Sequence, residues 1–204
     1  MVGNQSGPAF IVGNEFVVNS PINVTAVGAF DSGNDGFGSA TVPVALYGLN
    51  GTTWSQVAGT SASFSGNADT LVGSARFQDL ASPVTLNPGT YAIVAANYGV
   101  TGTTLWNAGL ASPGDPRITF QNSSSAVAMA SPNTAFYSIG VTTLGGTLSD
   151  LSYGSFGSQP ILAGATFDFT PVPEAATYGA AAVGLLGLVY IGRYARLRRK
   201  LKPA

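Results

Sequence analysis

The chain has no cysteine and no histidine. Without cysteine there is no disulfide framework, so packing and backbone pairing must hold the fold. Together the two absences remove thiol nucleophiles, Ser-His-Asp and Cys-His arrangements, and the common imidazole and thiolate metal ligands. Charge is also scarce. Asp, Glu, Lys and Arg make up 8% of the 204 residues, against about 25% in an ordinary soluble domain. Lysine occurs only at Lys200 and Lys202, so a Ser-Lys dyad has no upstream partner. No Gly-x-Ser-x-Gly elbow is present. A glycosidase-like carboxylate pair stays open as an alternative, but Asp79 and Asp115 read more simply as turn residues. The expectation is a protein that is not an enzyme and carries no cofactor.

What is present is apolar and turn-rich. Residues of the hydrophobic classes make up 45% of the chain, and 27 residues are glycine. The apolar content and lack of excess charge oppose disorder. They fit an all-β domain whose surface is made polar by hydroxyls and amides. Runs of strand character cover Phe10–Val18, Ile22–Phe30, Thr41–Tyr47, Trp54–Val57, Leu71–Phe77, Thr90–Ala96, Thr103–Trp106, Arg117–Phe120, Ala135–Val141 and Ala165–Phe169. Turn residues separate them, including Asn50-Gly51, a hairpin signal, and Asn87-Pro88-Gly89. Pro43 cannot donate a ladder hydrogen bond, so its strand is expected at an edge or at a bulge. Residues 121–133 and the Gly- and Ser-rich stretch 144–160 read as loops. The expected architecture is an antiparallel β-sandwich or jelly roll over residues 1–170.

The few charges are segregated. Residues 1–174 hold all nine acidic groups against Arg76 and Arg117, a net of −7, whereas residues 175–204 hold six basic groups and no acid, a net of +6. The acidic N-terminal part argues against a nucleic-acid partner, which requires a cationic face. The basic groups Arg193, Arg196, Arg198, Arg199, Lys200 and Lys202 follow an uncharged run, Ala175–Gly192, of eighteen residues. As a helix that run spans about 27 Å, near the lower limit for a hydrocarbon core of about 30 Å. Tyr178, Tyr190 and Tyr194 fall near its ends, where aromatic side chains favour the interface. The expected topology is one transmembrane helix at 175–192, the basic tail 193–204 in the cytoplasm, and residues 1–170 outside.

Ahead of the apolar run stands Pro171-Val172-Pro173-Glu174-Ala175. This element, the short apolar helix and the terminal Arg cluster together resemble the PEP-CTERM sorting signal. The resemblance covers residues 171–204. It implies a membrane-embedded processing enzyme of the exosortase type, cleavage near Val172, Pro173, Glu174 and Ala175, and transfer of the ectodomain from an inner-membrane precursor to the cell surface or an exopolysaccharide matrix. The family usually has Pro where this chain has Ala175. A single-pass anchor that is never processed is the alternative. A second resemblance covers residues 10–98, carried by Val24–Asp31, Asp35-Gly36-Phe37, Val44–Tyr47, Leu71–Phe77, Leu80–Leu86 and Pro88–Tyr91. These blocks are similar to exported bacterial β-sandwich modules of undefined function found in PEP-CTERM proteins. The expected role of the ectodomain is structural or adhesive, in the envelope or extracellular matrix. Met1–Pro8 has neither a basic nor an apolar leader region, so an export leader is expected upstream of Met1.

Two ligand candidates remain in the ectodomain. Asp31, Asp35 and Gly36 match positions 1, 5 and 6 of an EF-hand-like loop, but Gly33 and Val42 stand at positions 3 and 12, so that pattern fails. A different calcium geometry would use Asp31, Asn34 and Asp35; the alternative is an acidic glycine turn. Trp54 and Trp106, with Tyr47, Tyr98 and Tyr153, are candidates for stacking on a glycan, and the alternative is ordinary core packing.

Overall fold

The computed structural model describes Gly3 and residues 9–99, 107–108, 115–120, 135–139, 143–148, 152–153 and 162–173. For residues 107–108, 135–139, 152–153 and 162–163 it describes the backbone alone. The strands are β1 (Phe10–Val18), β2 (Ile22–Phe30), β3 (Val42–Asn50), β4 (Thr53–Gln56), β5 (Ala62–Phe64), β6 (Thr70–Val72), β7 (Ala75–Leu86), β8 (Gly89–Tyr98), β9 (Asn107–Ala108), β10 (Ile118–Phe120), β11 (Ala135–Ile139), β12 (Thr147–Leu148), β13 (Ser152–Tyr153), β14 (Leu162–Ala163) and β15 (Ala165–Pro171). A 3-10 turn at Ser32–Asn34 is the one helical element among the described residues, and none of these residues forms a helix long and apolar enough to cross a membrane. The fold is all-β. The chain divides into two units, Met1–Thr170 and Pro171–Ala204.

A nine-stranded sheet runs in the order β12-β4-β3-β8-β1-β11-β13, with β5 beside the start of β3 and β10 beside the end of β1. A four-stranded sheet runs β15-β2-β7-β6, and β9 pairs with β14. The registered pairs are antiparallel. Period-2 alternation explains β2 at its start, where Ile22 and Val24 turn inward while Asn23 and Thr25 are half exposed. One core joins both sheets: Val12, Phe16, Val44, Leu46 and Ile93 from the larger, and Ile22, Val24, Val27, Leu86 and Phe167 from the smaller. Phe16 centres its aromatic part, with ring centroids 4.9 Å from Phe167, 5.8 Å from Phe120 and 6.0 Å from Tyr91. Such ring pairs add about 0.5–1.5 kcal/mol each beyond burial.

The larger sheet is buried on both faces. Ala92–Ala96 of β8 is an unbroken buried run, as expected of a strand covered on two sides. Its second face carries Ile11, Ala45, Tyr47, Trp54, Ala92, Val94 and Ala96, with Leu49, Leu144 and Leu148 packed against them.

Several expectations need correction. β3 as a whole is not an edge strand, because it has β8 on one side and β4 and β5 on the other, although Pro43 itself is registered with Ser63 of β5 alone. The β3–β8 register begins at Val44, so the missing N–H falls just outside it. The stretch read as a loop at 144–160 contains the short strands β12 and β13. The Leu71–Phe77 run is two strands, broken by a turn at Gly73-Ser74. Asp79 lies within β7, not in a turn. It borders a bulge in which Leu80–Pro83 face Thr25 alone, between Val24↔Val84 and Ala26↔Asp79. Pro83, which has no N–H to offer, sits where pairing is already interrupted. The Asn50-Gly51 hairpin is observed: β3 pairs with β4, Asn50 opposite Thr53, with Gly51 at φ +63°.

Candidate functional site

The oxygen-rich turn after β2 was the strongest metal candidate in the sequence, and the structure fills it with a side chain. Asp31 sits at the end of β2, where its N–H donates to Ser74 O at 2.9 Å. The Gly36 N–H is 3.0 Å from both oxygens of the Asp31 carboxylate. Arg76 Nε donates to Asp31 Oδ2 at 2.7 Å, and the side chains are 7% (Arg76) and 0% (Asp31) exposed. The rest of the guanidinium is bound by backbone carbonyls. Nη1 donates to Asn67 O at 2.6 Å and Asp69 O at 2.9 Å, and Nη2 to Asn34 O at 3.4 Å.

Arg76 thus takes up Asp31 Oδ2 and three backbone carbonyl oxygens. Calcium takes six to eight oxygens converging on one point. Here Asp31 Oδ2 and three carbonyl oxygens converge on a guanidinium instead. Of the calcium candidates Asp31, Asn34 and Asp35, Asp31 accepts from Arg76 and Gly36, Asn34 offers its carbonyl to Arg76, and Asp35 is exposed. Among the described residues no group of three or more acidic side chains is placed to hold a metal.

The local backbone is built for this closure. Asn34 and Gly36 have φ of 68° and 92°, a region that asparagine and glycine tolerate best. A Cβ on Gly36 would meet Gly66 O at 2.5 Å. The approach lets Phe37 N–H donate to Gly66 O at 2.8 Å, and Gly66 N–H to Gly38 O at 3.1 Å. Phe37, fully buried, then packs edge-on to Phe64 with centroids 6.2 Å apart. The turn is thus a strap across the end of the core. Sequence reading missed Arg76 as its partner; the available signal was that Arg76 is one of two basic residues before the tail.

The glycan candidates also change character. Trp54 is 5% exposed and belongs to the second apolar cluster, so its ring offers no free face to a sugar. Tyr47 is buried beside it and its hydroxyl donates to Gly145 O at 2.7 Å. Burial pushes the Tyr47 phenol up to about 12. Tyr98 is sealed in the core, with its hydroxyl 2.9 Å from Phe30 O and 2.8 Å from Gly164 O. Burial raises its pKa well above the usual phenol value, the hydrogen bond to Phe30 O opposes that shift, and the Asp31 charge adds to it. Trp106 lies outside the described residues, and Tyr153 is described by its backbone alone.

Asp115 proves to be a turn residue, its carboxylate accepting from Arg117 N–H at 2.9 Å and pairing with Arg117 Nη1 at 3.0 Å. Of the residues expected to form a sorting element, Val172 and Pro173 directly follow β15. Glu174, Ala175, the apolar run 175–192 and the tail residues Arg193, Arg196, Arg198, Arg199 and Lys200 lie outside the described residues. No protein-family profile, curated protein or solved structure matches the chain.

Proposed function

We propose that this is an exported surface or extracellular-matrix protein, inserted through its C-terminal apolar run, sorted by the PEP-CTERM-like element, and released near Pro173-Glu174. The observation that carries the reading is the order of parts at residues 171–204: a Pro-Glu element, eighteen uncharged residues and six basic groups. The positive-inside rule assigns the tail to the cytoplasm and the domain to the outside.

The domain's role in this reading is structural or adhesive, in contact with the exopolysaccharide of the envelope. Two sheets sharing one core support a sandwich-type ectodomain. Its most ordered polar constellation, Asp31 with Arg76, is spent on holding loops together. Of the two tryptophan candidates for a glycan site, Trp54 is buried.

The absence of cysteine makes topology directly measurable. A single Ser82→Cys, at an exposed bulge position, is labelled by a membrane-impermeant maleimide on intact cells. A Lys202→Cys in the precursor is labelled only after lysis. The opposite pattern, or labelling of both only after lysis, contradicts export.

A further inference from the structure

We infer that the outer face of the β15-β2-β7-β6 sheet binds a polysaccharide that carries free amino groups, with sugar rings stacked on Phe77 and ammonium groups paired with Asp79 and Asp168. The inference deepens the matrix role proposed above and rests on that reading for the place where such a chain is met. Alternation identifies the face. Val27, Ala29 and Phe167 point into the core. Arg76 points inward to Asp31, and Gln78 Nε2 donates to Ser63 O on β5 at 2.8 Å. Their neighbours in sequence, Gly28, Phe77, Asp79, Thr166 and Asp168, therefore lie on the opposite face. There Phe77 pairs with Gly28, and a Cβ on Gly28 would meet Phe77 Cδ1 and Cε1 at 3.0 Å and Thr166 Cγ2 at 2.9 Å. The glycine thus lets the ring lie across β2. Phe77 is half-buried and belongs to neither apolar cluster.

The ring is bordered by hydroxyls and carboxylates. Thr70 lies opposite Phe77 on β6, and Asp79 opposite Ala26 on β2. Asp168 lies beside Thr25, whose Oγ1 donates to Asp168 O at 3.4 Å. Asp79 and Asp168 are both exposed, on strands two spacings, about 10 Å, apart. Neither has an ion-pair partner among the described residues. Of the two basic groups in residues 1–174, Arg76 is taken by Asp31 and Arg117 by Asp115. This face therefore repels an anionic chain and attracts a cationic one. A protein partner would need an apolar centre within about 800 Å² per side, whereas the apolar surface here is a narrow strip of Phe77 and Val72, the latter 56% exposed. An amino-sugar chain matches each feature. Its ring C–H groups are electropositive and suit the negative face of an aromatic ring. Its hydroxyls suit Thr70 and Thr166, and its ammonium groups suit the two carboxylates.

The test is titration calorimetry on the full-length chain in nonionic detergent, at mildly acidic pH, where amines are protonated and carboxylates stay ionised. Fully deacetylated glucosamine oligomers are expected to bind saturably, and more weakly as salt rises. The N-acetylated oligomers keep the ring but lose the charge, and are expected to bind about fivefold more weakly. Asp79→Asn with Asp168→Asn is expected to weaken binding of the deacetylated oligomers by the same factor. Phe77→Thr is expected to weaken it about tenfold, while Phe77→Tyr retains it. If Phe77→Thr does not fold, the paired Asn variant, altered only at exposed side chains, decides alone. No saturable binding of the deacetylated oligomers, equal binding of the acetylated ones, or binding undiminished by the Asn pair overturns the inference. A dimer that Phe77→Thr dissociates would assign the face to a second copy of the chain and overturn it too. Processing plays no part in this assay, so a negative result leaves the sorting reading standing, and failed surface labelling leaves the binding result standing.

Discussion

Arg76 and Asp31, 45 positions apart in the chain, meet at 2.7 Å with both side chains withdrawn from solvent. Removing one member of such a pair leaves an uncompensated buried charge, which costs about 3–5 kcal/mol. Arg76→Met is therefore expected to lower unfolding free energy by that amount in urea denaturation. Asp31→Asn combined with Arg76→Met is expected to cost less than the sum of the two single changes, with a coupling of about 1–3 kcal/mol. Additive losses would show that the two side chains do not act as a unit.

Arg76 engages the oxygens that a calcium ion at this turn would have to share. The melting temperature is expected to be the same in millimolar calcium and in excess chelator, and titration calorimetry to show no saturable heat. A calcium-dependent rise in melting temperature that disappears in Asp31→Asn would restore the metal reading.

Two glycines separate backbone strain from steric exclusion. Gly51, at φ +63°, has nothing within 4 Å of an added Cβ, so Gly51→Ala is expected to cost about 1 kcal/mol from the left-handed backbone alone. Gly36, at φ +92°, would in addition drive a Cβ to 2.5 Å from Gly66 O. Gly36→Ala is expected to cost at least about twice as much as Gly51→Ala. Equal losses in parallel urea melts would mean that the contact between the two turns is not part of the fold.

Tyr47 links stability to alkaline pH. Its folded pKa, pushed up to about 12, lies above the ordinary phenol value of 10.0. A raised pKa means that the folded state keeps a proton that the unfolded chain releases first. The contribution is complete below pH 10 and is lost as pH rises towards 12. Tyr98 acts in the same direction. Tyr47→Phe is expected to flatten the alkaline fall in stability, at a cost of about 1 kcal/mol near neutral pH for the lost bond to Gly145 O. Tyrosinate absorbance with unfolding followed across that pH range checks it. An unchanged slope in the variant would count against a buried phenol.

The local parts of this fold were legible because local physics determines them. The apolar runs of β1 and β2 have the bounds read from the sequence, and Asn50-Gly51 turns β3 into β4 as its backbone preference requires. What sequence could not supply was which faces meet. Trp54 resembles a surface platform until the second face of its sheet is seen to be buried. Asp31 reads as a metal ligand in the sequence because only strand register places Arg76 opposite Ala29, two residues before it. Pro43 reads as an edge marker, and at its own position its registered partner is Ser63 of β5, because β8 joins β3 only from Val44. The proposed sorting element has the opposite character: the resemblance lies in the order of residues in the chain and involves no contact.

Intact-mass measurement of the mature protein from its native host tests the account most directly. A C-terminus within the Pro171–Ala175 element, with the apolar run and all six basic groups gone, is the predicted result. A mature chain that extends beyond Arg193 would contradict it.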